Sequence, residues 1–242
     1  YINYTHKYGH LKDVGVMLKG DAVDSFTLMF IQMWSANERH CDFSKYPNVG
    51  DSLSAGGYFS NGFVMPSGDC PLDEYDVGKS VYMDILNRAK DYVYIMTPYM
   101  IMDGELENSL TFSAERGVDV RIILPHISDS FVAQALAKTH YKKLLDAGVK
   151  VYEYTPGFVH AKVFVSDDVK SVVGSINMDY RSLYHHFECA TYMYGTRCID
   201  DIKSDYKDTL AKCQQVTYES IKNDKWYIKL IGKVLKFVAP LI

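Results

Sequence analysis

The sequence predicts an α/β fold with a mixed central sheet, and three observations predict it. Helical and extended stretches alternate from residue 77 onward. The run YVYIMT at 92–97 has the continuous apolar character of a strand buried on both faces. The chain has 242 residues, 48% of them hydrophobic, enough to bury one core and too apolar for a disordered chain.

Element by element, DVGVMLK at 13–19 alternates and reads as a strand, and 21–36 reads as an apolar helix with Asp21 near its start. Residues 40–57 are rich in Gly, Pro, Ser and Asp and read as a loop. Helices are expected over 77–90, 104–116 and 129–147, the last closed by Gly148 as a C-cap. Strands are expected at 92–97, 118–124, 149–154, 161–166, 171–175 and 189–194. A helix is expected over 197–220. No apolar run approaches the ~20 residues that span a bilayer. The chain opens on Tyr1 without a signal-peptide pattern and is read as part of a longer protein.

The five cysteines, at 41, 70, 189, 198 and 213, include no CxxC pair and read as small buried hydrophobes rather than a zinc site or disulfide framework. The net charge of −4 hides an asymmetry: residues 222–242 carry five lysines against one acid, so the remainder is more acidic still. A body of that charge is a poor general nucleic-acid binder, and no nucleic acid is expected as a partner.

The chemistry is concentrated at 160–177, HAKVFVSDDVKSVVGSIN. His160 and Lys162 are two apart on an expected strand, so both side chains project to one face. Asp167 follows, then Gly174, Ser175 and Asn177, completing H-x-K-x4-D-x6-G-S-x-N. Imidazole can attack phosphorus or protonate a leaving oxygen. A neighbouring ammonium can stabilise charge on the non-bridging oxygens. Gly174 would let backbone approach a phosphate, and the Ser175 hydroxyl and Asn177 amide are neutral donors to it. Glu188 is expected to accept the other imidazole N–H and fix the tautomer. His185 and His186 beside it face opposite ways as neighbours and suggest no metal site.

This is the signature pattern of the phospholipase D superfamily. With NMDYRSLYHHFE at 177–188, GDCPLD at 68–73, TPY at 97–99 and LLDAGVKVYEY at 144–154, the chain resembles the C-terminal half of bacterial cardiolipin synthases. The opening YINYTHKYGHLKDVGVMLKG resembles the stretch that follows the first motif in that family. His10-Leu11-Lys12 is not a second motif, because Met17 stands where Asp would be required. The resemblance implies an α/β/α sandwich with a mixed sheet, one half of a two-motif pseudo-dimer. The implied organisation is the end of the first half over 1–40, a loop excursion or linker over 41–75, the motif-bearing domain over 76–220 and an amphipathic helix over 221–242.

The same resemblance implies transfer of a phosphatidyl group between two phosphatidylglycerol molecules through a phosphohistidine, releasing glycerol. His160, Lys162 and Asp167 would be catalytic, with His160 the general acid/base and the nucleophile on the absent half. No metal or other cofactor is needed, because lysines carry the charge. The implied partners are anionic phospholipid (phosphatidylglycerol and cardiolipin), the membrane surface, and a missing N-terminal half or a second copy. The implied location is the bacterial cell membrane, with the catalytic part facing the cytoplasm. A hydrolase or nuclease of the superfamily acting as a dimer, or an inert membrane-binding fragment, are the alternatives.

The segment 222–238, KNDKWYIKLIGKVLKFV, reads as one helix. At ~100° per residue Lys222, Lys225, Lys229, Lys233 and Lys236 fall within about 80° of one another, with Trp226 and Phe237 on the opposite, apolar arc. That pattern suits a helix lying on an anionic membrane surface.

Overall fold

The computed structural model describes residues 10–35, 61–72 and 74–241. The expected loop at 40–57, the segment 1–9 and Cys41 lie outside the described residues. The strands are β1 (His10–Lys12), β2 (Phe63–Asp69), β3 (Tyr92–Met96), β4 (Met100–Ile101), β5 (Asp119–Pro125), β6 (Lys150–Tyr154), β7 (Gly157–Val159), β8 (Val163–Ser166), β9 (Lys170–Gly174), β10 (Met178–Asp179), β11 (Glu188–Tyr194) and β12 (Cys213–Gln215). The α-helices are α1 (Ala22–Ser35), α2 (Val77–Arg88), α3 (Gly104–Glu115), α4 (Phe131–Asp146), α5 (Cys198–Leu210), α6 (Tyr218–Asn223) and α7 (Trp226–Leu235).

Eight strands form the central sheet in the order β12-β6-β5-β3-β8-β9-β11-β2. β3, β5 and β6 run parallel, and the other pairings are antiparallel. Alternation along each strand sorts the side chains into two cores. On one face Val93, Ile95, Ile122 and Phe164 pack with Leu86 of α2, Leu110 of α3 and Leu144 of α4. On the other, Tyr94, Met96, Val163 and Val165 pack with Ile199, Ile202 and Tyr206 of α5. The result is an α/β/α sandwich. Two short parallel pairs, β1 with β7 and β4 with β10, stand apart from the main sheet.

Several local expectations are corrected. Residues 13–19 are not a strand; pairing ends at Lys12, and the Val14 N–H is bonded instead to the Asp13 carboxylate at 2.9 Å. Residues 63–69, expected within the 41–75 linker, pair along their whole length with β11 and form a sheet edge. Pro66 disguised this strand, yet an edge tolerates a residue with no N–H to donate. The helix expected over 197–220 stops at Leu210. An edge strand then pairs with β6, and Thr217 with Ser220 forms a capping box that starts α6. The helix expected over 222–238 is broken at Asp224 and Lys225, both in non-helical backbone, with Asp224 tied to Lys138 of α4. No helix among the described residues is long and apolar enough to cross a membrane.

Candidate active site

His160, Ala161 and Lys162 are the three residues between β7 and β8, not part of a strand. Ala161 is fully buried in the core shared with α5, which turns the flanking His160 and Lys162 the other way. There they line a cleft of about 580 Å³ together with Asp13, Val14, Gly15, Gly174, Ser175 and Asn177. The Lys162 Nζ lies 2.9 Å from His160 Nε2 and donates to the His160 carbonyl at 2.5 Å.

The partner of the other ring nitrogen is Asp13, whose Oδ2 is 2.9 Å from His160 Nδ1. The tertiary pairing that brings it there is β1 against β7, extended by a hydrogen bond from the His160 N–H to the Lys12 carbonyl at 2.8 Å. An ionised carboxylate only accepts, so Nδ1 carries the proton and Nε2 faces Lys162. Burial alone would raise the Asp13 carboxyl. Hydrogen bonds from His160 and the Val14 amide, with the Lys162 charge, hold it below the ordinary value instead. Burial acts in the opposite sense on Lys162: it pushes the ammonium down to about 8, against the pull of Asp13, Glu188, Asp179 and Asp129.

Glu188 does not orient His160. Its carboxylate accepts the Ser175 hydroxyl hydrogen bond and lies 3.6 Å from His186. The Ser175 Oγ also accepts the Cys189 N–H at 2.9 Å, and the Ser175 N–H donates to the Cys189 carbonyl at 2.8 Å, so its hydroxyl is held at the cleft wall by β11. Asp167 lies outside the cleft. It sits in the three-residue turn between β8 and β9 with φ of 53°, and its carboxylate accepts the backbone N–H groups of Lys90, Asp91 and Tyr92 at 2.9, 3.0 and 2.9 Å. Aspartate tolerates that left-handed conformation, and the short turn demands it. Gly174 is required by packing: a Cβ there would stand 2.4 Å from the Cys189 carbonyl oxygen. Asn177 donates to Ser182 at 3.0 Å, and the Tyr82 hydroxyl donates to the Ile176 carbonyl at 2.8 Å, pinning the motif loop from below.

Sequence reasoning missed Asp13, Val14 and Gly15. The one available signal for Asp13 was its place directly after the short stretch HLK, in the segment resembling the end of a first half. Nothing in the motif's own spacing points to it. The expected membrane-helix residues are distributed over α6, α7 and the turns around them, away from the motif in sequence; their arrangement is taken up below.

A second cavity of about 240 Å³ adjoins the cleft, sharing Asn177, and is walled by Tyr99, Ile101, Ala133, Tyr180 and Arg181 among others. The arrangement as a whole supplies an imidazole with a fixed tautomer, a buried ammonium and a neutral donor loop around one water-accessible space. That set can bind and polarise a phosphodiester.

Comparison with known proteins agrees. The family model for the cardiolipin synthase phospholipase D-like domain matches residues 82–210, more than half of the chain. An uncharacterised protein of Streptococcus mutans is 57% identical over 244 residues, covering 100% of this chain and 52% of that protein. A cardiolipin synthase of Halalkalibacterium halodurans is 28% identical over 242 residues, covering 100% of this chain and 48% of its own. The chain thus spans about half the length of these relatives. Among solved structures, the phospholipase D family member Nuc from Salmonella typhimurium shares the fold, with a TM-score of 0.53 at 17% identity over 64% of this chain and 98% of that one. Fold, motif and family match converge: the chain belongs to the cardiolipin synthase family of phospholipase D-like domains.

Proposed function

We propose that this chain is the second catalytic half of a cardiolipin synthase, transferring a phosphatidyl group between two phosphatidylglycerol molecules. The observation that supports it best is the linked series Asp13–His160–Lys162 at the wall of one cleft. In the first step a histidine nitrogen from an upstream half bonds to phosphorus, and the phosphorus–oxygen bond to glycerol breaks. For this step His160 is the imidazolium, with protons on both ring nitrogens; it gives the Nε2 proton to the departing glycerol oxygen and is left as the neutral Nδ1–H tautomer that Asp13 holds. In the second step His160 takes the proton from the hydroxyl of a second phosphatidylglycerol. That oxygen bonds to phosphorus as the nitrogen–phosphorus bond breaks, giving cardiolipin. Lys162 and the 174–177 loop balance charge on the non-bridging oxygens in both steps.

One imidazole cannot both bond to phosphorus and protonate the leaving group. The 242-residue chain by itself is therefore expected to turn over phosphatidylglycerol at least a thousandfold more slowly than a longer protein with both halves. The test supplies phosphatidylglycerol vesicles to both forms and to His160→Ala, and measures cardiolipin and glycerol. Equal amounts of glycerol and cardiolipin, lost in His160→Ala, support the reading. Phosphatidic acid in place of cardiolipin makes it a hydrolase, and cleavage of DNA with lipid untouched makes it a nuclease; either overturns it.

A further inference from the structure

The C-terminal helix presents two faces that the catalytic reading leaves unused. Helix α7 is docked on α4 by one side only. Gly232 is buried there, and a Cβ on it would stand 2.5 Å from the Ala135 carbonyl oxygen. Leu235 and Ala239 continue the contact, joining the cluster of Ile101, Ala133 and Leu136. This close approach fixes which side of α7 turns outward. Facing away are Trp226 (74% exposed), Leu230 (54%), Val234 (61%) and Phe237 (89%), with Leu241 (87%) beyond the helix end. At ~100° per residue the first four fall within about 80°, one continuous apolar strip. Lys229, Lys233 and Lys236, with Lys225 directly before the helix, form the adjoining row between that strip and the docked side.

We infer that this strip and its lysine row dock the chain on an anionic lipid bilayer, with the apolar residues sunk among the acyl chains and the ammonium groups at the phosphates. Charge complementarity selects this occupant. A second copy laid on the strip would set lysine rows of like sign side by side, whereas an anionic surface meets each lysine with opposite charge. Trp226 at the start of the strip has the amphipathic ring that favours the interfacial zone.

The position of the strip strengthens the assignment. Tyr99, Ile101, Ala133 and Tyr180, against which Leu235 and Ala239 pack, also wall the second cavity. His185 Nε2 lies 3.4 Å from the Pro240 carbonyl at the same end. That cavity shares Asn177 with the cleft that holds His160. The docking helix thus packs against residues that also wall this cavity, next to the cleft. This inference stands on surface chemistry and does not rest on the proposed reaction.

The experiment measures co-sedimentation of the 242-residue chain with vesicles of phosphatidylglycerol and phosphatidylcholine (3:1) and with pure phosphatidylcholine, together with emission of Trp226 in a Trp34→Phe background. The chain is expected to bind the anionic vesicles at least tenfold more tightly than the neutral ones, with a blue shift, and to weaken as salt rises to 0.5 M. Leu230→Ser/Val234→Ser/Phe237→Ser should lose the binding at least tenfold. Lys225→Glu/Lys233→Glu/Lys236→Glu should lose the preference for anionic lipid. All these side chains are exposed, so both variants should keep the parent melting temperature, and a variant that melts early is replaced by single substitutions. His160→Ala should bind as the parent does, which separates this result from any failure of the chemistry. Unchanged binding in both triple variants, no binding by the parent chain, or dimers that the serine variant disperses while vesicles are ignored, would each overturn the inference.

Discussion

At Lys162 two opposing forces meet. Burial drives the ammonium toward its neutral form, while four carboxylates hold it charged, and the balance leaves it at about 8. Because this value lies below the ordinary 10.5 of lysine, the folded chain binds fewer protons than the unfolded one between those limits. Stability therefore rises with pH across that window, so the charged lysine strains the fold at neutral pH. Under the proposed reaction its use is electrostatic, because the charge is present below about pH 8 and fades above it. In the assembled enzyme kcat/KM should fall as pH passes through about 8. Lys162→Arg, always charged, should turn over more slowly because its fork fits the site poorly, yet its alkaline limb should move upward by at least ~1 pH unit. An unmoved limb in the arginine variant would show that another group sets it.

Among the elements, the turn between β8 and β9 shows how a motif residue can be structural. Asp167 joins that turn to the turn between α2 and β3 through three backbone N–H groups, and so keeps β3 and β8 in register. Removing the carboxylate leaves those donors to water and takes away a residue suited to positive φ. Asp167→Ala should thus lower stability by roughly 2 kcal/mol, read as a lower urea midpoint with an unchanged slope. The folded fraction should retain the chemistry of the cleft. A variant of full stability and no activity would place Asp167 back among the catalytic groups. Glu188 teaches a similar lesson at the sheet edge. Its place just before the strand expected over 189–194 was legible, but its partner is Ser175 rather than His160, because the segment after β1 delivers a different carboxylate to the ring.

For the whole molecule, the same carboxylates that organise the structure set its acid limit. Glu107 bridges α3 to α4, pairing with His140 at 2.7 Å and Lys143 at 2.6 Å. Burial would raise it, but these partners outweigh burial and hold it at about 2. Asp13, Asp103 and Asp119 are also held low, each by hydrogen bonds and cations that overcome burial. A depressed carboxyl contributes stability above its unfolded value, and the contribution is lost as pH falls through the folded one. The melting temperature should be level from pH 7 to 5 and drop steeply from about 4.5 toward 2. Glu107→Gln should melt lower than the parent at pH 6, with the gap closing toward pH 2.5. A gap that stays constant across that range would refute the assignment to Glu107.

The sequence by itself determined the sandwich class, most strands, the cleft-lining residues His160, Lys162, Gly174, Ser175 and Asn177, and the two-sided character of the C-terminal segment. These are local properties: side-chain period and motif spacing report which face a residue takes, whatever lies opposite. Only the tertiary structure decided that Asp13 rather than Glu188 holds the imidazole, that Asp167 fastens a turn, that 63–69 completes the sheet, and that a buried glycine sets the outward face of α7. Each of those depends on which distant segment packs against a residue. Such pairings are selected by the fit of whole elements in the folded chain and leave no periodic trace along it.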